Sequence, residues 1–542
     1  MRQLRLLWLI LVLVGQFACS ATNPTDQPPP RRPAGTPAYG DSLVEGTIGE
    51  PSTLVPLLAS DASSHAVAGQ VYNGLLKYDK NLQLTGDLAD SWDVAPDGLT
   101  ITFHLRRGVR WHDGQPFTTR DVLYTYRVTI DPKTPTAYAE DFKQVQSVTA
   151  PDPYTVRVTY AKPFAPALAS WGVAILPAHL LEGKEITKSE LARHPVGTGP
   201  YRFKEWVAGQ KVVLESNHDY FEGRPYIDRL IYRVIPDTST MYMELKAGGL
   251  DLMNLTPVQY SRQTSNLEFL ERFAKYRYPA AAYTYLGYNL RNPLFTDQRV
   301  RQAITSAINK DELIHGVLFG MGQLAHGPFK PGTWAHNPNI KAFPYDPARA
   351  AALLAEAGWR ERNGDGILVK NGKPFQFTIL TNQGNDARLK TAQIIQFRLK
   401  KVGIDVKIRV IEWASLLTNF IDKGNFDALI MGWTITPDPD LFDVWHSSKT
   451  GPKELNFIGY KNAEVDRLIE DGRHTFDQEK RRRCYWRIQE IFAQEQPYTF
   501  LYVPDALPVV SARFRGIEPA PAGIGHNQIK WYVPKEEQFS ER

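Results

Sequence analysis

The sequence predicts a mixed α/β protein that divides into two or three compact bodies. Segments whose apolar residues alternate with period two, typical of strands, are interleaved with segments of helical period. The chain has 542 residues, too many for one simple hydrophobic core. Its 39 glycines and 39 prolines predict many turns rather than a helical bundle.

The first residues have the pattern of an export signal. Arg2 and Arg5 precede an apolar run, residues 6–14, that is too short to span a bilayer. A charged segment followed by a short apolar one is typical of a secretion signal, so we expect a signal peptide over residues 1–18.

Cys19 follows directly and resembles the lipidated first residue of a bacterial lipoprotein. Such signals usually carry Leu and a small residue where this chain has Gln16 and Phe17. The alternative is simple cleavage near Ser20 or Ala21, which would give a free soluble protein. Residues 19–40 are rich in proline and have little to bury, so we interpret them as a lipid anchor and an extended tether.

Charge and cysteine content exclude some classes of protein. The formal net charge is +5, and the sequence has no lysine- or arginine-rich domain that would indicate a nucleic-acid partner. The densest basic run, residues 481–483, falls in a helical pattern, and we interpret it as a solvated helix face. With Cys19 lipidated, Cys484 has no partner, so we expect a buried thiol and no intrachain disulfide.

The first half of the mature chain predicts strands and helices in alternation. Leu43 to Thr47 is a short strand-like segment, and a helix is expected around residues 66–76. Strands are predicted at residues 100–105 and 154–160, and a helix lies between them at residues 119–129.

A second body begins near residue 286 and has a βαβ order, which implies a parallel or mixed sheet with helices on its faces. Its predicted helices are residues 297–309, 345–359 and 389–402, and its predicted strands are 375–380, 405–411 and 426–432.

Ordered motifs along nearly the whole mature chain resemble those of a known family. The longest block starts at Leu88-Ala89-Asp90-Ser91-Trp92 and continues through Asp97-Gly98, Phe103-His104-Leu105-Arg106, Gly108-Val109-Arg110-Trp111-His112-Asp113-Gly114, Pro116-Phe117-Thr118 and Asp121-Val122. Shorter matches are Tyr72-Asn73-Gly74-Leu75, Gly197-Thr198-Gly199-Pro200-Tyr201, Val300-Arg301-Gln302-Ala303-Ile304 and Gly432-Trp433. In order and spacing they are similar to the extracytoplasmic solute-binding proteins of ABC transporters, in the dipeptide- and oligopeptide-binding family (family 5).

The resemblance implies a two-lobed periplasmic-binding-protein-like α/β fold with a hinge between the lobes. It also implies an extra subdomain inserted in the first lobe. The expected divisions are a lobe 1 core at residues 41–69, 194–285 and 508–540, an inserted subdomain at 70–193 and lobe 2 at 286–507. A ligand would lie between the lobes, and the permease subunits would recognise the closed form.

The pair Gly432-Trp433 marks the expected ligand site, together with Thr434 and Thr436. In the family an Asp a few residues past this pair holds the ligand's α-amino group. Here Thr436 stands at that position and carries no charge, and Ile430 stands where some oligopeptide binders have a carboxylate-binding Arg.

Asp438 has two interpretations. It lies close enough to Thr436 to replace the missing acid, as does Asp440. Because Pro439 follows it and a helix is expected from residue 441, Asp438 is also a candidate helix N-cap.

Further ligand contacts follow from looser matches to the family. Trp413 matches an aromatic wall of the side-chain pocket, and ordinary core packing is its alternative. Tyr138 matches a cleft tyrosine of the inserted subdomain, and Ser63 matches a contact from the first lobe. Arg388 lies near where the family places a cation for the ligand carboxylate; a surface Arg is the alternative.

No nucleophile elbow, paired-His zinc motif or phosphate loop occurs, so we predict no enzyme, no cofactor and no metal site. We expect a monomer held by a lipid anchor in the periplasm or on the outer face of the cytoplasmic membrane. It would deliver short peptides to an ABC importer. Alternatives are another solute in the same fold (an oligosaccharide, a nickel chelate or haem) and a peptide-sensing receptor or chaperone without transport.

Overall fold

The computed structural model of the protein describes residues 35–539, which form two lobes built on mixed β-sheets. The predicted signal peptide, Cys19 and most of the predicted tether lie outside the described residues. Within residues 35–539 no helix is both long and apolar enough to cross a membrane.

The sheet of the first lobe has the strand Ser42–Thr47 at its centre. This strand runs parallel to both of its neighbours, Arg229–Val234 and Leu252–Asn254. The helix Ala62–Val71 begins four residues before the predicted start because the carboxylate of Asp61 caps it, accepting the Ser64 N–H at 2.9 Å. The spatial order is Phe273–Lys275, Pro508–Ser511, Leu252–Asn254, Ser42–Thr47, Arg229–Val234, Lys211–Ser216 and Tyr201–Val207. The other α-helices are Thr238–Ala247 and Leu267–Arg272.

The chain between the first strand and the later strands of this lobe forms a separate antiparallel sheet. Its strands are, in spatial order, Ala89–Val94, Thr100–Leu105, Thr155–Tyr160 and Val145–Asp152, and the hairpin Leu76–Tyr78 with Leu84–Gly86 lies beside them. Its α-helices are Thr119–Ile130, Ala139–Lys143, Ala167–Ser170 and Ala178–Leu181. One continuous apolar core joins this subdomain to the first lobe, from Leu43 to Phe103 and Trp531.

The longest motif of the sequence has a structural role in this subdomain. Trp111 is 1 % exposed, and its indole N–H donates to the carboxylate of Asp121. Asp121 also completes a capping box with Thr118. Gly197 passes so close to the first helix that a Cβ would lie 1.8 Å from the carbonyl oxygen of Val71. Trp111 and Asp121 therefore stabilise the inserted subdomain, and Gly197 lets the first lobe pack closely against the start of that subdomain.

The second lobe contains the predicted βαβ unit. Gln376–Asn382 and Asp405–Ile411 are parallel strands connected by the helix Asp386–Lys401, and Asp405–Ile411 matches its predicted bounds. The spatial order is Tyr278–Pro279, Tyr498–Ala506, Ala282–Tyr288, Ala428–Thr434, Gln376–Asn382 and Asp405–Ile411, with Gly322–Leu324 beside Tyr498–Ala506. A small sheet has the strands Glu361–Arg362, Leu368–Lys370 and Lys373–Pro374. The remaining α-helices are Gln298–Ala307, Lys310–Gly316, Pro347–Glu356, Trp413–Ser415, Phe442–Trp445, Ala463–Arg473 and Gln478–Glu495.

The connection between the lobes consists of two antiparallel segments. Tyr278–Pro279 pairs with residues 505–506, and the Ala280 N–H donates to the Pro504 carbonyl at 3.0 Å. Lobe 2 was predicted to begin at residue 286. The strand Ala282–Tyr288 spans that position and lies wholly in the second sheet. Two paired segments of this kind form a hinge between the lobes.

Candidate ligand-binding site

A cavity of about 1470 Å³ lies between the two lobes and the inserted subdomain. Small-molecule sites typically measure roughly 300–1,000 Å³, so this cavity has room for a larger or extended ligand. All nine residues that the sequence analysis selected line it: Ser63, Tyr138, Arg388, Trp413, Gly432, Trp433, Thr434, Thr436 and Asp438.

The strand Ala428–Thr434 presents a free edge to the cavity. It pairs along its whole length with Ala282–Tyr288 on one side. On the other side its partner Gln376–Asn382 reaches only Ala428 and Leu429. Gly432, Trp433 and Thr434 all line the cavity, so this stretch of backbone offers hydrogen-bonding groups there.

Arg388 brings a positive charge to the cavity. Its guanidinium donates to the Asn382 side-chain oxygen at 2.8 Å and to the Met431 sulfur at 3.6 Å. Among the described residues no carboxylate forms an ion pair with it. Burial lowers the pKa of Arg388, but a guanidinium remains charged in proteins. Gly432 makes room, since a Cβ there would lie 3.0 Å from a guanidinium nitrogen.

Trp413 reaches from the second lobe to the first. It begins a short helix that the Glu412 carboxylate caps. Its indole N–H lies 3.5 Å from a carboxylate oxygen of Asp61, and its ring packs against Gly49. Trp413 is therefore half-buried at a contact between the lobes, with part of its surface on the cavity.

Tyr138 and Ser63 lie on the opposite side of the cavity. The Tyr138 hydroxyl donates to the Ala59 carbonyl at 2.9 Å and lies 3.2 Å from the His65 ring, which joins the inserted subdomain to the first lobe. Ser63 follows the capping Asp61 on the first helix and is half-buried.

The carboxylate of Asp438 forms an ion pair with Arg481, a residue that was predicted to face solvent. Arg481 is 8 % exposed, and its guanidinium binds both carboxylate oxygens of Asp438, at 2.8 and 3.2 Å. The prediction that residues 481–483 form a solvated face is therefore wrong for Arg481. The Thr436 hydroxyl donates to the Asp438 carbonyl at 2.6 Å, so Thr436 stabilises the same turn.

The N-cap role proposed for Asp438 is also wrong. The helix begins at Phe442, and its first N–H is accepted by the Asp440 carboxylate at 3.2 Å. The expected start at residue 441 is one residue early. Asp440, rather than Asp438, is therefore the acidic residue that accepts a hydrogen bond from this helix end.

Acidic groups from two bodies of the protein meet at one end of the cavity. Asp141 of the inserted subdomain and Asp440 of the second lobe both pair with Arg473, which is buried. Asp443 lies beside them, 3.8 Å from the Lys449 ammonium group. Burial raises the pKa of Asp440 to about 6, against the opposing charge of Arg473, and raises the pKa of Asp443 well above its usual range.

The described residues contain no cluster of metal-ligating side chains, and their one cysteine is half-buried. No three His, Cys, Asp or Glu side chains between residues 35 and 539 are arranged to hold a metal ion. Cys484 is half-buried, less enclosed than predicted, and burial raises the pKa of its thiol.

Two α/β lobes that enclose a large cavity across a hinge define a binding protein that closes around its ligand. The chain belongs to the bacterial extracellular solute-binding proteins, family 5, whose model, described as the family's "Middle" region, matches residues 83–454. This confirms the resemblance found in the sequence and the two-lobed fold. Members of this family are solute-binding proteins, not enzymes.

Several relatives cover almost the whole chain. The oligopeptide-binding protein AppA of Bacillus subtilis is 36 % identical over 538 residues, which are 97 % of this chain and 98 % of AppA. The structure of AppA with a nonapeptide has a TM-score of 0.88 and covers 92 % of this chain and 100 % of that one.

Two further solved structures hold different ligands. NikZ of Campylobacter jejuni, in complex with Ni(L-His), is 30 % identical with a TM-score of 0.83, covering 91 % of this chain and 99 % of NikZ. DppA of Helicobacter pylori, in complex with the peptide STSA, is 31 % identical with a TM-score of 0.82, covering 92 % and 99 %.

Proposed function

We propose that this protein captures short peptides in the cavity between its lobes and delivers them to an ABC importer. The observation that carries the proposal is the free edge of the strand Ala428–Thr434, which faces the cavity. An extended peptide can add to such an edge through its main chain, which gives affinity without selecting side chains.

The size of the cavity supports a peptide of several residues. About 1470 Å³ exceeds what a single amino acid or a small chelate fills. The AppA structure holds a nonapeptide and the DppA structure holds the peptide STSA, so relatives of the same fold accept ligands of this kind.

Arg388 is the residue we assign to the peptide's carboxylate. A planar guanidinium binds a carboxylate through two parallel hydrogen bonds. Asn382 holds Arg388 in place through one nitrogen, and no protein carboxylate competes for the charge among the described residues.

The amino end of the peptide has no equivalent partner at the expected position. Thr436 is neutral, and Asp438 is already bound by Arg481. A role for Asp438 in holding the ligand amine would require that pair to open, so we assign Asp438 to the turn that shapes the cavity.

The cellular setting completes the proposal. We propose that residues 1–18 direct export, that Cys19 carries a lipid and that residues 19–40 tether a monomeric body on the outer face of the membrane. The closed lobes then present the surface that permease subunits recognise.

The proposal is tested by thermal shift and calorimetry on the mature protein. Ligand binding raises stability by mass action, so peptides of two to nine residues should raise the melting temperature. In Arg388→Met, peptides with a free carboxylate should bind about tenfold to a hundredfold more weakly, while C-terminal amides change little. Arg349→Met, an exposed arginine of the same lobe outside the cavity, is the matched control. If no peptide shifts the melting temperature, the proposed function is wrong.

A second candidate is a small solute such as a nickel chelate. The neutral Thr436 favours it, because a ligand without an ammonium group needs no acid there, and NikZ has this fold with Ni(L-His). Including nickel–histidine and cello-oligosaccharides in the screen separates the two: a shift with these ligands and none with peptides favours the second candidate.

A further inference from the structure

The cavity is acidic although the whole chain is basic. Ten of the side chains that line it are Asp or Glu, whereas Arg388 and Lys453 are the basic ones. The formal charge of the chain is +5. The acidic character therefore belongs to the cavity, and it favours a ligand that carries positive charge.

Most of these carboxylates already have a partner: Asp505 pairs with Arg277, and Asp443 and Glu454 pair with Lys449. Asp61 accepts hydrogen bonds from Ser52 and Ser64. Arginine pairs with Asp141, Asp438 and Asp440. These paired carboxylates stabilise the cavity wall, and their partners compensate most of the negative charge that a ligand could bind.

Glu45 differs from them. Glu45 lines the cavity, and among the described residues its carboxylate forms no hydrogen bond and no ion pair. Asp422 also lacks such a bond, but the charge of Lys453 acts on it. Burial raises the pKa of Glu45 to about 7, with no opposing charge.

The position of Glu45 in the fold is that of a ligand-binding residue. It follows the buried Leu43 and Val44 in the central strand Ser42–Thr47, whose neighbours are both parallel. Strands enclosed in this way are normally apolar throughout. Glu45 follows the apolar pair Leu43-Val44 and begins the carboxyl-terminal half of the strand, and ligands of α/β proteins bind beyond the carboxyl ends of parallel strands.

We propose that Glu45 is a specificity-determining residue of the cavity and binds an ammonium or guanidinium group of the ligand. This inference rests on the proposed function, which it narrows to peptides with an accessible positive charge. Arg388 on the second lobe and Glu45 on the first then bind opposite charges of one ligand, so that the ligand contacts both lobes. The cation has two possible sources in a peptide: the α-amino group, for which Thr436 offers no charge, and a lysine or arginine side chain.

The test measures the ratio of the affinities for a charged peptide and its uncharged counterpart. This ratio is compared among the mature wild-type protein, Glu45→Gln and Glu45→Asp. One pair of probes is pentaalanine and its N-acetylated form, and a second set places one lysine or one norleucine at each interior position of pentaalanine. We expect the wild-type protein to prefer the charged member of at least one pair by about tenfold, and Glu45→Gln to lose that preference. Glu45→Asp should keep part of it. Glu215→Gln, which removes a carboxylate on the same sheet outside the cavity, should behave as the wild type.

Each outcome decides the proposal. A collapse of the free-to-acetylated ratio assigns Glu45 to the α-amino group, and a collapse of the lysine-to-norleucine ratio assigns it to a side chain. Unchanged ratios in a folded Glu45→Gln that still binds neutral peptides overturn the assignment of Glu45 alone. If no peptide binds the wild-type protein, the proposed function and this inference are both wrong.

Discussion

Glu45→Gln should stabilise the ligand-free protein, and by an amount that depends on pH. Burial raises the pKa of Glu45 from 4.5 to about 7. Since the folded protein holds this proton more tightly than the unfolded chain, the protonated carboxyl favours folding. That contribution is complete below pH 4.5 and is lost as the pH rises through 7. Each pKa unit corresponds to about 1.4 kcal/mol, so a rise of about 2.5 units sets an upper limit of roughly 3.5 kcal/mol.

The expected effect is smaller than this limit because Glu45 is only half-buried and lines the cavity. Water there screens the charge, so we expect about 1–3 kcal/mol of stabilisation in Glu45→Gln at pH 8 and close to none at pH 4.5. For a folded body of 505 residues this is about 1–3 °C in melting temperature.

The measurement is chemical and thermal unfolding at pH 4.5, 6, 7 and 8, after refolding from denaturant to remove any bound ligand. The wild type, Glu45→Gln and Glu215→Gln are compared, so that all other titrating groups cancel in the difference. A stability difference that does not grow between pH 4.5 and 8, or a less stable Glu45→Gln at pH 8, would refute this account of Glu45.

Three further substitutions test the ends of the cavity and the anchor. Thr436→Asp should improve the binding of free over N-acetylated peptides by about tenfold in calorimetry, because it adds a charge-assisted hydrogen bond; an unchanged ratio would place the amino group elsewhere. Asp141→Asn removes the inserted subdomain's partner for Arg473 and should weaken all peptides by a similar factor, whatever their charge; a selective loss would argue for direct contact with the ligand. Cys19→Ser should abolish labelling by a fatty-acid analogue and release the protein from membranes, while a retained label would exclude Cys19 as the acceptor.

Local patterns predicted the secondary structure well where the period was clear. The strands Thr100–Leu105 and Asp405–Ile411 have their predicted bounds, because alternation along the strand reports directly which face is buried. The first helix was misplaced toward its C-terminus because its start depends on Asp61. That carboxylate also accepts a hydrogen bond from Ser52, across nine positions of sequence.

The site could be located from the sequence only through the family resemblance. Its residues are spread from Ser63 to Asp438, and no local period connects them. Charge pairing was harder to predict, since Arg481 and Asp438 are 43 positions apart and a basic run on a helix normally faces solvent. Glu45 left one signal, a carboxylate directly after the buried Leu43 and Val44 of a central strand, and that kind of local inconsistency often marks a functional position.

The two unpaired charges, Glu45 and Arg388, also predict how the ligand controls closure. Both charges are more hydrated in an open form than in the closed one, and closing the lobes without a ligand buries them further without a partner, which costs about 1–3 kcal/mol for each polar group. A ligand with complementary charges removes that cost and shifts the equilibrium toward the closed form.

Without ligand, the ratio of closed to open protein should therefore be more than tenfold higher in the double variant Glu45→Gln, Arg388→Met than in the wild type. Small-angle X-ray scattering of ligand-free protein would show this as a smaller radius of gyration, with Glu215→Gln, Arg349→Met as the matched control. If the ligand-free double variant is as expanded as the wild type, these two charges do not govern closure.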